Sequence, residues 1–321
     1  MATTRLSPGS HAVSTGCVDV HHHFYPEEYL ASLDGRALFP EVAQWSIART
    51  LDEMDAHGVA TAILSLSPPG ARGADPASAR RLARLCNDYG AQMARDHPSR
   101  FGLFAAVPMP DVDGTLREIE YALDTLGSDG IGFMTSYDNH WPGDPAFDAV
   151  FAELDRRKAL VYIHPLAPNC CRGLMEWVPP ALVEYPFDTT RAIASLLFSG
   201  TLARFPGIRF TFCHGGGALP MLAGRIRTSV SNRRLLERFP KGVDYELKKL
   251  HYDLAIAAFE PSLAALVAYV PVTQILMGSD FPFSSMGKTI EGLAAARLAA
   301  DQLRAINRGN AERLMPRLAR R

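Results

Sequence analysis

The chain has 321 residues, and its 33 Lys and Arg residues nearly balance its 34 Asp and Glu residues, so the formal net charge is -1. Hydrophobic residues make up 47% of the chain and charged residues 21%, an ordinary globular composition that excludes an intrinsically disordered chain. Because there is no basic excess, nucleic acid is not expected as the main ligand.

The five cysteines, at positions 17, 86, 170, 171 and 213, form no C-x-x-C pair. Since an odd number of cysteines is not typical of a disulfide framework, we expect reduced thiols and a cytoplasmic protein. Residues 1–16 are polar and lack the apolar segment of a signal peptide. The apolar runs are much shorter than the roughly 18 residues of a membrane span, so we expect no membrane association.

Short apolar segments alternate with amphipathic segments along the chain. Nearly continuous hydrophobic runs, which are typical of strands buried on both faces, predict strands over residues 17–22, 60–66, 101–107, 130–135, 159–164, 208–214, 251–255 and 273–279. Apolar residues at helical spacing predict helices over residues 77–96, 115–126, 145–158, 189–202, 219–239, 261–269 and 287–299.

This alternation predicts an α/β protein, a (β/α)8 TIM barrel that occupies residues 1–321 as a single domain. A doubly wound open sheet is the alternative, but no glycine-rich nucleotide-binding motif follows a predicted strand. Two connections are longer than plain loops, at about residues 25–50 after strand 1 and 166–188 after strand 5. In a barrel, both would leave the C-terminal ends of strands, where insertions form the walls of active sites.

The strongest signal for chemistry is the sequence Asp-Val-His-His-His at residues 19–23. Because side chains alternate along a strand, His21 and His23 are expected to share one face, with Val20 and His22 on the other. Two imidazoles placed in this way can chelate one metal ion. A chance cluster of surface histidines is the alternative explanation.

Three further residues lie at the ends of predicted strands: His164 after strand 5, His214 before three glycines after strand 6, and Asp280 after strand 8. Taken singly, each has an alternative explanation: His164 as a structural histidine, His214 as part of a glycine-rich turn or a phosphate cradle, and Asp280 as a helix cap. Strand ends of a closed barrel meet at one rim. Together with the histidine cluster they predict a site for one divalent metal, with zinc favoured and manganese as the alternative.

Several segments resemble the amidohydrolase superfamily, in the metal-dependent branch that includes the aminocarboxymuconate semialdehyde, γ-resorcylate and 6-methylsalicylate decarboxylases. They are residues 19–23, 54–59, 143–147, 164–165, 214–220 with 224–225, and 278–282. The resemblance implies that His21, His23, His164 and Asp280 are the metal ligands and that His214 is a catalytic histidine. Strand 4 ends without the lysine that the two-metal hydrolases of the superfamily carry, which favours a single metal.

The activity that the resemblance implies is non-oxidative decarboxylation of a small aromatic or unsaturated carboxylic acid, of the salicylate type by preference, without an organic cofactor. If the ring carbon is protonated before CO₂ leaves, Asp280 and His214 are the candidate acids. The same ligands would serve a single-metal lactonase or amidase, or a hydratase. A metal-stabilised binding protein without catalysis is a third class of function.

Substrate binding would require an apolar pocket for the ring and a cation for the carboxylate. The aromatic candidates, for which core packing is the alternative, are Phe24, Trp177, Phe281 and Phe283. The cationic candidates are Arg49, after the first insertion, and Arg233, although each would also suit a solvated surface. Arg233 lies in a helical region that, by the resemblance, reaches the neighbouring subunit's site. Because the predicted helix 219–239 is both basic and apolar, we expect a homodimer.

Overall fold

The structure is a computed structural model, and it describes residues 16–33, 39–229 and 233–320. For residues 229, 233, 234 and 320 it describes the backbone alone. Eight parallel strands, β1 to β8, follow one another around the sheet in sequence order. They are Cys17–His23, Val59–Ser65, Phe101–Ala106, Gly130–Met134, Leu160–His164, Arg209–Phe212, His251–Asp253 and Ile275–Leu276.

The sheet closes on itself between β1 and the segment that follows β8. The backbone N–H of Val20 donates to the carbonyl of Met277 at 3.0 Å, and the N–H of His23 donates to the carbonyl of Phe281 at 2.9 Å. The predicted (β/α)8 TIM barrel is therefore confirmed. β8 is shorter than the predicted strand over residues 273–279, because residues 277–281 join β1 through separate hydrogen bonds rather than a continuous ladder.

Helices connect the strands and surround the barrel. The α-helices α1 to α15 are Glu27–Ala31, Pro40–Ala43, Ile47–Ala56, Pro76–Asp96, Val112–Glu120, Asp148–Arg156, Pro180–Phe198, Thr201–Arg204, Leu219–Ser229, Arg233–Leu236, Val243–Lys248, Glu260–Tyr269, Met286–Ala295, Ala300–Arg304 and Asn310–Leu314. Within the described ranges, no helix is long and apolar enough to cross a membrane.

The two largest differences between predicted and observed helices concern α7 and the segment that begins with α9. α7 begins at Pro180, well before the predicted start at residue 189, so part of the second insertion is helical. Pro180 suits the first turn because the N–H that proline lacks has no partner there anyway. The predicted helix over residues 219–239 corresponds to two helices, α9 and α10, and residues 230–232 lie outside the described residues.

A core inside the barrel is separate from the larger core between strands and helices. Ile63, Phe104 and Tyr162 belong to it, and the rings of Phe104 and Tyr162 stack with centroids 4.8 Å apart. Leu314 of α15 also belongs to this interior core, and its carbonyl accepts a hydrogen bond of 2.6 Å from Arg209 at the start of β6. The C-terminal segment thus covers the N-terminal end of the barrel, and the opposite rim carries the polar residues described below.

β1 does not alternate as expected, since its pairing with β2 shifts by one residue between Asp19 and His22. Val20 packs in the interior core, and the ring of His21 also faces inward, 5.6 Å from that of Tyr162. The prediction that Val20 and His21 face opposite sides is therefore wrong. A bulge inserts an extra residue into the strand, so two consecutive side chains point inward.

Candidate metal centre and active site

Three histidines and one aspartate from the ends of three strands meet at the C-terminal rim of the barrel. They are His21 and His23 of β1, His164 at the end of β5, and Asp280 after β8, and all four are buried. Their ligand atoms lie within 4.8 Å of one another. Nε2 of His21 is 3.2 Å from Nε2 of His23, and Oδ1 of Asp280 is 3.1 and 2.9 Å from these two nitrogens. The barrel thus brings the predicted ligand set together.

The second ring nitrogen of each histidine has a fixed hydrogen-bond acceptor. Nδ1 of His21 donates to Oδ2 of Asp253 at 3.0 Å, Nδ1 of His23 to the carbonyl of Ser65 at 3.1 Å, and Nδ1 of His164 to the carbonyl of Pro165 at 2.8 Å. Contacts of this kind fix the tautomer and the ring orientation of metal-binding histidines. They leave each Nε2 facing the shared centre.

The donor arrangement fits one divalent ion. Nε2 of His164 is buried and has no hydrogen-bond partner among the described residues, although a buried nitrogen of this type normally has one. Four donors bound to a tetrahedral zinc ion at about 2.0–2.1 Å would be about 3.3 Å apart. The separations among the donors of His21, His23 and Asp280, 2.9, 3.1 and 3.2 Å, are close to this value, and the donor of His164 lies within 4.8 Å of them.

The electrostatics keep most donors in the states that bind metals. Burial lowers the pKa of His23, and burial together with the charges of His23 and His21 lowers the pKa of His164 well below its usual value. Burial by itself would raise the pKa of Asp280. The charge of His21 and hydrogen bonds from the histidines outweigh this effect, so the pKa of Asp280 lies well below its usual value. Burial likewise opposes the charged form of His21, yet the charge of Asp253 raises the pKa of His21 well above its usual value. Neutral His23 and His164 and an ionised Asp280 are ready to coordinate a cation.

His214 lies beside the four predicted ligands but is not one of the group. Its Nε2 is 3.5 Å from Oδ2 of Asp280, and its ring centroid is 5.0 Å from that of His21. The backbone of His214 has a φ of 53°, a conformation that costs a non-glycine residue on the order of 1–2 kcal/mol. Oδ1 of Asp280 faces the histidines of the predicted ligand set and Oδ2 faces His214, so this carboxylate lies between them.

Asp253, at the end of β7, is a site residue that the sequence analysis did not identify. Its Oδ2 accepts the hydrogen bond from His21, and its Oδ1 accepts from the backbone N–H groups of His214 and Ala255 at 3.1 and 3.0 Å. It therefore holds a predicted metal ligand and the strained backbone of His214 at the same time. The available signal was an acidic residue inside a short predicted strand, two positions after His251.

We predict that Asp253→Asn weakens zinc binding by about 10- to 100-fold, because the acceptor that orients His21 loses its charge. Titration of the apoprotein against a competing zinc chelator would measure this change. Asp188→Asn is the matched control, since Asp188 is equally buried but accepts hydrogen bonds from Thr135, Ser136 and Trp141, none of which belongs to the predicted ligand set. Equal losses of affinity in the two variants would contradict the assigned role.

The amidohydrolase family model matches residues 18–317 of the chain. The chain belongs to the amidohydrolase family. Its relatives include the 6-methylsalicylic acid decarboxylase of Penicillium expansum, which is 34% identical over 94% of this chain and 96% of the relative. The γ-resorcylate decarboxylase of Rhizobium radiobacter is 27% identical over 91% of both chains. The predicted resemblance to the decarboxylase branch is therefore confirmed.

The fold of this amidohydrolase also matches solved structures. One is a dihydroxybenzoic acid decarboxylase from Polaromonas, crystallised with bound manganese and the inhibitor 2-nitroresorcinol. The TM-score is 0.81 at 22% sequence identity, and the match covers 94% of this chain and 97% of that one. At this identity the likeness concerns the barrel and its connections.

The predicted substrate-binding residues of the amidohydrolase are mostly not at the metal centre. Phe24 follows His23 and therefore points to the other face, where its ring stacks 6.3 Å from that of Tyr89. Phe281 stacks on His22, with ring centroids 5.1 Å apart, on the outer side of β1. Phe283, in contrast, packs against the ring of His23 at 5.8 Å. Of these three aromatic residues, Phe283 is the one that the structure places against a predicted ligand.

The remaining candidates lie on the surface or outside the described residues. Trp177 is 87% exposed in the second insertion. Arg49 is exposed, and its guanidinium donates to the carbonyl of Gln44 at 2.7 Å. The side chain of Arg233 is not among the described residues. Among the described residues, neither Trp177 nor Arg49 contacts the predicted metal ligands, because both side chains point outward from the insertions that carry them.

Proposed function

We propose that this amidohydrolase is a metal-dependent, non-oxidative decarboxylase of aromatic carboxylic acids, with 2-hydroxybenzoates of the salicylate type as substrates. The names of its relatives agree with the reaction class. The observation that carries the proposal is the convergence of three Nε2 atoms and one carboxylate oxygen on a single point, with His214 next to them.

We propose that His21, His23, His164 and Asp280 hold one divalent ion. When bound, this ion would supply Lewis-acid chemistry to the carboxylate, or to a neighbouring hydroxyl group, of the substrate. Three imidazoles and one carboxylate favour zinc. Manganese is the alternative, since a relative with the same fold was crystallised with it. No organic cofactor is required.

We propose that His214 and Asp280 move the proton that the reaction needs. Direct loss of CO₂ would leave a localised aryl anion, whereas a hydroxyl group ortho to the carboxylate allows the ring carbon to be protonated first. The new C–H bond interrupts the aromatic ring. When the C–C bond then breaks, its electron pair returns to the ring, and CO₂ and a phenol are released. Nε2 of His214 and Oδ2 of Asp280, 3.5 Å apart, form the proton-carrying pair.

The test is to incubate the metal-replete protein with 2-hydroxybenzoates, lactones and amides and to measure CO₂ and phenol. We expect CO₂ and the corresponding phenol from 2-hydroxybenzoates. 3-Hydroxybenzoate is the matched control, because its hydroxyl group cannot stabilise a ring protonated at the carboxylate carbon. Hydrolysis of a lactone or amide, without CO₂ from any acid, would assign the protein to the hydrolases instead.

We also propose a homodimer formed through an apolar patch, defined as Leu174, Met175, Trp177, Leu182, Phe187, Met221 and Leu236. These residues are exposed and come from the second insertion and helices α7, α9 and α10. α7 and α9 are neighbours, since both line one groove. Exposed apolar surface of this kind marks interaction sites.

Met221→Glu is therefore expected to convert the dimer to a monomer at micromolar concentration, because Met221 is 77% exposed within the patch. Light scattering coupled to size exclusion would measure the mass. Tyr245→Glu, which changes an exposed aromatic residue on α11 outside the patch, should leave the dimer intact. A parent protein that is monomeric in the same measurement would contradict the proposal.

A cytoplasmic location and a single domain over residues 1–321 complete the proposal. The thiols of Cys86, Cys170, Cys171 and Cys213 are free, and those of Cys86 and Cys213 are buried. Free thiols persist in a reducing compartment, which supports the cytoplasm.

A further inference from the structure

Tyr185 of α7 lies beside the metal centre, and the proposed function gives it no role. Its ring meets the ring of the predicted ligand His164 edge-on, with the centroids 6.4 Å apart. The side chain is half-buried. Its hydroxyl makes no hydrogen bond to any other residue in the part of the chain that the structure describes. This tyrosine therefore adds a hydroxyl group that is available to a ligand at the C-terminal rim of the barrel.

The helix around Tyr185 is held against the glycine-rich segment that follows β6. The carbonyl of Pro186 accepts the hydroxyl of Thr190 at 2.9 Å, and the oxygen of that hydroxyl accepts the backbone N–H of Ala218 at 2.9 Å. A Cβ atom built on Gly217 would lie 2.0 Å from the carbonyl oxygen of Pro186, so the two backbones pack with no room for a side chain between them. Tyr185 thus sits on a fixed backbone, which lowers the entropic cost of binding a ligand.

The hydroxyl of Tyr185 is a hydrogen-bond donor at neutral pH. Burial and the charge of Asp280 raise the pKa of Tyr185 to about 12, so the phenol stays neutral. The carboxylate of Asp280 already has other neighbours, since Oδ1 lies 2.9 Å from Nε2 of His23 and Oδ2 lies 3.5 Å from Nε2 of His214. A tyrosine hydroxyl in partly apolar surroundings normally has a partner. Here the partner has to come from a bound molecule or from solvent.

The carboxylate is the substrate group that suits this donor best. Hydrogen bonds to an ionised acceptor are about twice as strong as those between neutral groups, and the carboxylate is the ionised group of a 2-hydroxybenzoate at neutral pH. A carboxylate offers about four lone-pair positions. A metal ion and the neighbouring hydroxyl group of the substrate use part of them, which leaves a position for Tyr185.

We propose that Tyr185 is a substrate-binding residue whose hydroxyl donates a hydrogen bond to the carboxylate of an acid held at the metal centre. The inference rests on the proposed function, because it takes an aromatic acid as the ligand. The contact also distinguishes substrate from product. When CO₂ leaves, the phenol that remains has no carboxylate, so Tyr185 loses its acceptor and holds the product less tightly than the acid.

Benzoate and phenol are the probes that test this contact without turnover. Benzoate has the carboxylate but lacks the hydroxyl group that supports protonation of the ring, and phenol has the hydroxyl group alone. We expect Tyr185→Phe, in the metal-replete protein, to weaken benzoate binding by about tenfold or more, the contribution of one hydrogen bond to a charged group. Phenol binding should change by less than about twofold, because the lost donor does not contact it. Calorimetric titration measures both dissociation constants.

Tyr121→Phe is the matched control. Tyr121 is also half-buried, and its hydroxyl donates to Asp88 at 2.8 Å, so this variant loses a hydrogen bond between two residues that are not predicted ligands. It should bind benzoate and phenol as the parent does. Elemental analysis of Tyr185→Phe should still find about one ion per chain, because the phenol is not a ligand. Loss of the ion from this variant would mean that Tyr185 acts on the metal site, and would contradict the proposal.

Turnover gives a second measurement of the same contact. With a 2-hydroxybenzoate as substrate, Tyr185→Phe should raise KM by about tenfold and leave kcat within about threefold, because the bond to the carboxylate is already present before CO₂ leaves. A purely structural role would instead weaken benzoate and phenol binding equally. That result would contradict the proposal, as would weaker binding of phenol alone or unchanged binding of benzoate.

These results are separable from the test of the proposed function. If benzoate binding falls selectively and no acid releases CO₂, the decarboxylase is overturned and the role of Tyr185 in binding a carboxylate is retained. If 2-hydroxybenzoates release CO₂ and benzoate binding is unchanged, the decarboxylase is retained and the role of Tyr185 is overturned.

Discussion

His21→Ala and Asp280→Ala should each lose the bound metal and the decarboxylase activity together. Each substitution removes one of the four donors that lie within 4.8 Å of one another, and Asp280 is the donor that carries negative charge. We expect the metal content to fall from about one ion per chain to less than about a tenth of that, because zinc sites of this kind depend on all of their protein ligands. Elemental analysis of the purified variants, with CO₂ release measured in parallel, gives both quantities.

His22→Ala is the matched control for this prediction. His22 is as buried as its neighbours, but its Nδ1 lies 3.4 Å from Oδ2 of Asp19 and its ring stacks on Phe281, away from the ligands. This variant should keep its metal. If His21→Ala and Asp280→Ala retain a full complement of metal, the assigned ligand set is wrong.

His214→Asn is expected to separate catalysis from metal binding. The imidazole of His214 contacts Asp280 but is outside the four-residue ligand group, so the variant should keep about one ion per chain. Loss of a group that transfers a proton typically costs about 10² to 10⁴ in rate. The turnover number for a 2-hydroxybenzoate and the metal content, measured on the same preparation, test both parts of the prediction.

His140→Asn provides the comparison for His214→Asn, because His140 is an exposed histidine that pairs with Asp144 at 2.6 Å, remote from the centre. It should have the parent's turnover number. Near-normal turnover by His214→Asn would remove this residue from the proton transfer, and loss of the metal would make it a ligand instead.

The sequence was sufficient to predict the barrel and five of the residues that meet at its rim. Strands buried on both faces leave continuous apolar runs, and a polar residue that ends such a run is conspicuous, as at His164, His214 and Asp280. Once the strands are placed in a barrel, topology brings their ends together without further information. The structure then adds the distances that the strand order cannot give.

Other features depend on contacts between residues far apart in the chain. The inward position of Val20 results from a shift in the pairing of β1 with β2, which no local pattern records. The role of Asp253 depends on His21, which is far away in the sequence but adjacent in the closed barrel. Phe24 and Phe281 follow strand ends, yet their rings pack against Tyr89 and His22, because the face on which a ring lies is set by its neighbours.

The measurement that tests the central claim most directly is a titration of the metal-free protein with zinc or manganese while CO₂ release from a 2-hydroxybenzoate is followed. A single site formed by His21, His23, His164 and Asp280 predicts negligible release without metal. Release should then rise linearly with added metal and stop increasing at about one equivalent per chain. Full activity in the metal-free protein, or a break at two equivalents, would contradict the single-metal decarboxylase described above.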